Sequence, residues 1–184
     1  MTDADAYMKM VKSHNVNYIV HMAGILSALG EREPDLSLDV NVIGSINAMR
    51  ASMLTKSRIY IPSSIAVFGG KNYPKINTPA DNIILQPKSI YGVGKVFNEM
   101  IGEYYANKFD LDFRSIRYPG VISSSKYSFN GSTDYATEVF FHMLENKHYT
   151  CRLKEETTLP MIYIDDCIEA TVKYLKTDIS LLDR

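Results

Sequence analysis

Apolar and polar residues alternate in blocks that predict four short strands separated by helices. The four apolar runs that predict strands are Asn17–Met22, Arg58–Pro62, Asp112–Arg117 and Met161–Ile164. The stretches that predict helices between them are Ala4–Lys12, Asp35–Leu54 and Ser89–Lys108. Apolar strands that alternate with helices favour a parallel sheet covered on both faces. The pattern therefore predicts an α/β fold whose ligands bind beyond the carboxyl ends of the strands.

Two of the predicted helices are apolar on more than one side. On Asp35–Leu54 the apolar positions form two stripes, and on Ser89–Lys108 they cover more than half of the circumference. A helix that is apolar on two sides is buried on two sides. We expect one side to pack on the sheet and the other to form a homodimer or a higher oligomer. Burial within the chain is the alternative.

The first predicted strand has the character of a middle strand in a nucleotide-binding sheet. Such sheets open with a strand, a Gly-x-Gly-x-x-Gly turn and an acidic residue about 20 residues later. The early glycines of this chain, Gly24, Gly30 and Gly44, do not fit that spacing. The expected fold is a partial Rossmann-like doubly wound parallel sheet that lacks its first strands and its glycine-rich turn.

Composition argues against several functional classes. The chain has 184 residues and a formal net charge of −1, which gives no basic footprint for nucleic acid. No apolar run approaches the roughly 20 residues of a membrane span. Because of the charge we do not expect nucleic acid as a partner, and because of the short apolar runs we do not expect a membrane. Cys151 and Cys167 lack metal-site or disulfide-framework spacing. The polar N-terminus is unlike a secretory signal, so a cytoplasmic location is expected, with a mitochondrial one left open.

Tyr91 and Lys95 form the candidate catalytic pair. Residues four apart lie one above the other on a helix face. A free tyrosine ionises near pH 10, and an ammonium one turn away is expected to lower the pKa of the phenol. Ser64, at the end of the second predicted strand, offers a hydroxyl that can hold a substrate alcohol or carbonyl. The same spacing recurs at Tyr104 and Lys108, three turns into the helix, where packing is the better interpretation.

Other polar residues have structural interpretations. His21 ends a buried strand, and we expect its ring to be packed and hydrogen bonded. Asp166, with Glu169 three residues later, is predicted to cap the last helix. Asn41 either orders water or backbone near the site or simply packs in its helix. For Arg117, structural pairing is at least as good an interpretation as ligand contact.

Ordered strings of residues over nearly the whole chain carry a family resemblance. The more general strings are His21–Gly24 and Asn41–Gly44, together with Ser64 and Tyr91-x-x-x-Lys95. The more specific strings are Leu26–Glu31, Pro62–Gly69, Leu111–Gly120, Thr133–Ala136 and Leu159–Cys167. In these the chain resembles the extended short-chain dehydrogenase/reductase superfamily, and within it the epimerase-like L-threonine 3-dehydrogenases.

The resemblance implies that NAD oxidises the C3 hydroxyl of L-threonine to give 2-amino-3-ketobutyrate. It makes Tyr91 the base, Lys95 the residue that lowers its pKa and binds the nicotinamide ribose, and Ser64 the partner of the substrate oxygen. The other implied substrate contacts are Ser27, Ser63 and Thr133. The other implied NAD contacts are Ala23, Gly24, Tyr118, Pro119 and Val121. The resemblance implies no metal site.

The resemblance also implies that residues 1–184 form a single incomplete NAD(P)-binding domain, truncated at both ends, with the start of the substrate-domain elements. Two alternatives to an active dehydrogenase stay open. A nucleotide-sugar epimerase or dehydratase shares the Ser, Tyr and Lys residues, but does not predict the Leu26–Glu31 and Thr133–Ala136 strings. A dimerising remnant without catalysis or NAD binding is favoured by the lack of a phosphate-binding turn, because that turn is a major anchor for the pyrophosphate.

Overall fold

Parallel strands alternate with helices along the chain. The structure, a computed structural model, describes residues 1–69, 83–124, 131, 133–151 and 153–182. The helices are α1 (Ala4–Ser13), α2 (Ser27–Arg32), α3 (Pro34–Leu38), α4 (Gly44–Thr55), α5 (Ile90–Phe109), α6 (Tyr135–Leu144) and α7 (Ile164–Lys176). The strands are β1 (Tyr18–Val20), β2 (Arg58–Tyr60), β3 (Ser63–Ser64), β4 (Phe113–Arg114), β5 (Arg117–Tyr118), β6 (Gly120–Ile122) and β7 (Met161–Tyr163). None of the described helices is long and apolar enough to cross a membrane.

The predicted parallel sheet is confirmed, with shorter strands than the sequence indicates. Strands β1, β2 and β4 pair in that order, with Ile19 beside Ile59. Strands β3 and β5 continue β2 and β4 beyond a break at Pro62, which has no N–H to donate to a ladder. The Ser63 N–H donates to the Ile116 carbonyl across this break. Strand β6 pairs in parallel with β7.

One face of the β1-β2-β4 sheet supports the main hydrophobic core. Ile19 and Ile59 pack there with Val11 of α1, Met49 of α4 and Leu111. These five side chains are 0–7% exposed. Side chains alternate between the two faces of a strand, so the neighbours of Ile19 on β1 project from the opposite face and are about half exposed.

Helix α7 lies over the opposite face, where it is tied to the sheet by two arginines. The fully buried Arg114 binds Asp112 through its Nε at 2.8 Å and the carbonyls of Tyr174 and Leu175 near the end of α7. Arg58 binds the same carboxylate and the same Leu175 carbonyl. Cationic side chains are favoured at the carboxyl end of a helix, because the last carbonyls carry partial negative charge.

The helix expected over Asp35–Leu54 is a continuous helical path from Pro34 to Thr55, interrupted by a π-helical turn. That turn, Asp39–Ile43, was not predicted. The carbonyl of Asn41 within it accepts hydrogen bonds from the Ser45 hydroxyl at 2.7 Å and the Asn98 amide at 2.9 Å. Side chains thus satisfy a backbone group inside the irregular turn, and such turns are frequent at functional sites.

The start of one helix agrees with the sequence prediction, and that of another does not. Helix α5 begins at Ile90, one residue after the predicted start, and the Ser89 hydroxyl caps it by accepting the Gly92 N–H at 3.1 Å. The prediction that Asp166 caps the last helix is wrong. Helix α7 begins at Ile164, with Tyr163 in the cap position and no side-chain cap from the described residues. Asp166 lies in the first turn, where its charge favours the helix dipole.

Candidate active site

A cavity of about 440 Å³ lies beyond the carboxyl ends of the strands, as the parallel sheet predicts. Every site residue inferred from the sequence lines it except Ala23, which lies between two residues of its wall. The structure adds to the wall residues that the sequence analysis had not selected, and these are Met22, Leu26, Pro62, Ser123, Gly131, Asp134 and Thr137.

The start of α5 brings Tyr91 against Ser64. A Cβ atom on Gly92 would lie 2.4 Å from the Ala66 carbonyl oxygen, so the glycine permits α5 to approach the turn after β3. The Ser64 hydroxyl accepts the Ala66 N–H at 3.2 Å and hydrogen bonds with the Tyr91 phenol. Ser64 and Tyr91 are therefore held together by the backbone before any ligand binds.

The pKa of Tyr91 is raised rather than lowered. Burial is the main cause, and the hydrogen bond with Ser64 opposes it. The Lys95 Nζ lies 5.3 Å from the centroid of the Tyr91 ring and donates to the Pro62 carbonyl at 2.6 Å. The expected lowering by Lys95 is thus wrong for the protein alone, because the ammonium faces a carbonyl and the ring rather than the phenol oxygen.

Lys95 itself has an unusual environment for a cation. Its side chain is buried, which lowers its pKa to about 8, while the negative charge of Glu99 acts in the opposite direction. A group with that pKa is still mainly an ammonium at neutral pH. Lys95 is therefore a buried hydrogen-bond donor and a positive charge beside the Tyr91 ring.

Asn41 orders the loop that follows β1. Its side-chain oxygen accepts the Ile25 N–H at 2.8 Å, and its amide donates to the Ile25 carbonyl at 2.9 Å and to Ser37 at 3.1 Å. Of the two interpretations left open for Asn41, the structure favours the ordering of backbone near the site. This clamp fixes the position of Gly24 and Ser27 on the cavity wall.

His21 is buried, but the expected hydrogen bonding of its ring is wrong. Neither ring nitrogen has a hydrogen-bond partner among the described residues. The ring packs against Tyr7, and the two ring centroids are 6.2 Å apart. Burial lowers the pKa of His21 to about 4, and the positive charges of Lys95 and the amino terminus add to this effect. The imidazole is therefore neutral at physiological pH.

Arg117 makes a structural ion pair with Glu99, a residue that the sequence analysis missed. The Arg117 Nη2 lies 2.8 Å from the Glu99 Oε2, and the Ser63 hydroxyl donates to the Glu99 Oε1. Ser63 reaches the cavity wall, but its hydroxyl is directed at this carboxylate. The sequence could have indicated Glu99, because it lies four residues after Lys95 and therefore on the same face of the helix.

The opposite wall of the cavity is built from β5 and the residues around α6. The Tyr118 hydroxyl is buried against Tyr60 and Thr171, so its polar end is directed away from the cavity. Asp134 accepts the Gly131 N–H at 2.8 Å. Thr133, which directly precedes Asp134, lies on the cavity wall.

The wall fits the nicotinamide and ribose end of NAD. The Lys95 ammonium is a donor suited to a ribose diol, and Pro119 and Val121 form an apolar wall for a flat ring. A Cβ atom on Gly24 would meet only the Asn41 side-chain oxygen, at 3.4 Å, so the backbone there is open to close approach. Among the described residues, no group of three or more His, Cys, Asp and Glu side chains could hold a metal ion.

The family model for NAD-dependent epimerases and dehydratases matches residues 1–180. An uncharacterized epimerase/dehydratase of Staphylococcus aureus is 39% identical over 183 residues, which are 100% of this chain and 56% of that protein. The L-threonine dehydrogenase structure from Phytophthora infestans is 44% identical, with a TM-score of 0.94 over 100% of this chain and 59% of its own. The L-threonine 3-dehydrogenase structure from Trypanosoma brucei is 36% identical, with a TM-score of 0.94, and the match covers 100% of this chain and 56% of its own.

A more distant structure shares the fold alone. The UDP-glucose 4-epimerase of Thermus thermophilus, solved with NAD, is 19% identical, with a TM-score of 0.84 over 96% of this chain and 58% of its own. The chain therefore spans somewhat more than half the length of the relatives and structures that it matches.

Proposed function

The chain belongs to the NAD-dependent epimerase/dehydratase family, and we propose that it oxidises the C3 hydroxyl of L-threonine with NAD to give 2-amino-3-ketobutyrate. The observation that carries this proposal is the cluster of Ser64, Tyr91 and Lys95 in one cavity, which Ser27 and Thr133 also line. The choice of threonine is supported by sequence identity: the chain is 44% and 36% identical to two threonine dehydrogenases, but 19% identical to the UDP-glucose epimerase.

In the proposed reaction Ser64 and Tyr91 both contact the C3 oxygen of threonine. The Ser64 hydroxyl donates a hydrogen bond to this oxygen and orients it toward the Tyr91 phenolate, which removes the hydroxyl proton. The hydrogen on C3 leaves as a hydride, so the alcohol becomes a ketone as the proton passes to Tyr91. Bound NAD would supply the hydride acceptor and a positively charged ring close to the phenol.

The positive charge of Lys95 has a defined task in this scheme. Burial raises the pKa of Tyr91, so the phenolate needs positive charge nearby in order to form at neutral pH. Lys95 is buried within the same wall and is still mainly charged at that pH. With NAD bound, its Nζ would hold the ribose hydroxyls, and its charge would stabilise the phenolate.

Ser27 and Thr133 are the proposed contacts of the amino-acid head of threonine. They line the same cavity from different segments, one at the start of α2 and the other just before α6. Asn41 fixes the first segment and the Asp134–Gly131 contact orders the second. Two neutral hydroxyls held in this way can orient a small polar substrate relative to Tyr91.

We expect the purified 184-residue chain to form NADH from NAD and L-threonine, and not to interconvert UDP-glucose and UDP-galactose. NADH absorbance measures the first reaction, and chromatography of the nucleotide sugars measures the second. Epimerisation without threonine oxidation would instead support the nucleotide-sugar alternative. A folded chain that gives no product and binds no NAD at millimolar concentration would contradict the proposal and indicate a remnant without catalysis.

The proposed assembly is a homodimer formed through α5. Four of its apolar side chains, Val93, Phe97, Met100 and Tyr104, are 38–65% exposed and follow one another at intervals of four, three and four residues. Leu36 and Ile43, on the adjoining helical path, are also exposed. Spacing of this kind is that of a helix-packing seam, and a second copy would offer the same stripe in a self-complementary interface.

Replacement of Phe97 with glutamate is expected to convert this dimer to a monomer. A charge at the centre of the stripe would be buried without a partner in both copies, and an unpaired buried charge is strongly unfavourable. Size-exclusion chromatography with light scattering measures the molecular mass. Leu144→Glu is the control, because Leu144 is 82% exposed on α6 and lies outside the stripe. A wild-type chain that is already a monomer at high concentration would exclude this interface.

A further inference from the structure

The side chain of Glu99 connects three elements behind the candidate active site. It projects from α5, and its carboxylate receives the Arg117 Nε at 3.0 and 3.2 Å and the Arg117 Nη2 at 2.8 Å. The same carboxylate accepts the Ser63 hydroxyl. The Glu99 side chain is only 16% exposed, so solvent does little to screen these contacts. One largely shielded carboxylate therefore joins α5 to both β3 and β5.

The two partners of Glu99 each precede a residue that lines the cavity. Ser63 and Arg117 lie opposite each other in the pairing of β3 with β5, and the next pair in that register is Ser64 with Tyr118. Successive side chains of a strand project to opposite faces. Glu99 thus binds β3 and β5 through Ser63 and Arg117. Ser64, the next residue of β3, projects to the opposite face of the strand. Because Glu99 and Tyr91 share one rigid helix, these contacts fix the position of Ser64 relative to Tyr91.

Glu99 also acts on the charge of Lys95, which is one helical turn away. Burial lowers the pKa of Lys95, and the negative charge of Glu99 counteracts this. The other groups that face Lys95 are His21, which is neutral, the Tyr91 ring and the Pro62 carbonyl, which accepts a hydrogen bond from the ammonium. Pro62 directly precedes Ser63, so the same short segment is held by Lys95 and by Glu99.

We propose that Glu99 is a positioning residue for the proposed reaction: it holds Ser64 against Tyr91 through Ser63 and Arg117, and it maintains Lys95 as an ammonium. The reaction itself rests on the proposed function, but both effects are properties of the unliganded protein. Arg117 is the counter-ion that permits a carboxylate to be buried at this position. The three residues, Ser63, Glu99 and Arg117, form one unit behind the catalytic pair.

The test measures the titration of Lys95 by NMR in protein labelled with ¹³C-lysine. The Lys95 Cε resonance is assigned by its loss in Lys95→Met, and neither NAD nor threonine is present. We expect Glu99→Gln to lower the titration midpoint of Lys95 by about 1 pH unit, since removal of a nearby opposite charge disfavours the ammonium. A purely structural role would lower the thermal midpoint of unfolding without this shift.

Two further variants separate charge from structure. Glu103→Gln makes the same change one turn along the exposed side of α5, and we expect no shift. Arg117→Gln leaves the Glu99 carboxylate uncompensated, so we expect the Lys95 midpoint to rise. Shifts of the Lys95 midpoint in opposite directions in Glu99→Gln and Arg117→Gln support the proposal. If Glu99→Gln does not fold, Arg117→Gln is the variant that tests it. An unchanged Lys95 midpoint in whichever of these variants folds would overturn the proposal. A wild-type chain that does not oxidise threonine would contradict the proposed function. The titration of Lys95 would still be a valid test of the role of Glu99, because it is measured without NAD or threonine.

Discussion

Replacement of Tyr91 with phenylalanine is expected to reduce NADH formation from L-threonine by at least about 100-fold, the lower limit for loss of a positioned general base. Phenylalanine keeps the buried ring and its contact with the Lys95 ammonium, 5.3 Å from the ring centroid. It removes only the hydroxyl group, which hydrogen bonds with Ser64 and whose deprotonated form is the base in the proposed reaction. The rate constant kcat should fall much more than KM changes, because the hydroxyl acts mainly in the transition state.

The matched control for this change is Tyr104→Phe. Tyr104 lies on the same helix, is followed by a lysine four residues later and is 52% exposed. Its hydroxyl is outside the cavity wall, and phenylalanine keeps the ring that forms part of the exposed stripe of α5, so we expect the activity of the control to remain within twofold of that of the wild type. Activity of Tyr91→Phe within tenfold of wild type, in a protein of unchanged thermal stability, would contradict the assignment of Tyr91 as the base.

The arrangement of strands could be predicted from the sequence because each strand is a short apolar run that ends in small or polar residues. The interruption between β2 and β3 follows from Pro62, but the sequence alone does not show that Ser63 resumes the pairing on the far side. The π-helical turn at Asp39–Ile43 could not be predicted at all. The Asn98 amide that binds the Asn41 carbonyl lies 57 positions further along the chain, so this contact forms only once α5 has packed against the turn.

The residues around the cavity could be predicted because the family strings place them at the ends of strands and at the start of a helix. Their protonation could not, because it depends on burial. The sequence shows Lys95 one turn from Tyr91, but not that the ammonium donates to Pro62, nor that burial is the larger influence on the phenol. The unpartnered ring of His21 was missed for the same reason, since a strand end gives no information about what surrounds it.

Both the catalytic pair and its support depend on the packing of α5. The exposed stripe of this helix is the proposed dimer interface, and its opposite side contains Lys95, Asn98 and Glu99, which are directed into the protein. Gly92 lets the first turn approach the segment that follows Ser64. A change on the exposed stripe that moves the helix would therefore alter the distance between Tyr91 and Ser64. The proposed dimer and the proposed chemistry would both depend on this one helix.

Replacement of Arg114 with methionine is expected to lower the free energy of unfolding by about 3 kcal/mol, the lower end of the range for breaking a buried ion pair. Arg114 is fully buried, and its Nε and Nη2 bind the two oxygens of Asp112 at 2.8 and 3.2 Å. Methionine replaces the apolar stem of arginine but has no donors, so the Tyr174 carbonyl loses its contact with Arg114 and α7 loses a link to β4. Arg58 still neutralises Asp112, which places the cost at the lower end of the range. Urea unfolding with linear extrapolation measures the change.

The same measurement on two further arginines tests whether burial is the cause. Arg58 contacts the same carboxylate at 2.5 Å but is 19% exposed, so Arg58→Met should cost less than Arg114→Met. Arg50 is exposed on α4, and Arg50→Met should change the unfolding free energy by no more than about 0.5 kcal/mol. A cost below about 1 kcal/mol for Arg114→Met, or an equal cost for all three variants, would show that the buried guanidinium is not what holds α7 on the sheet.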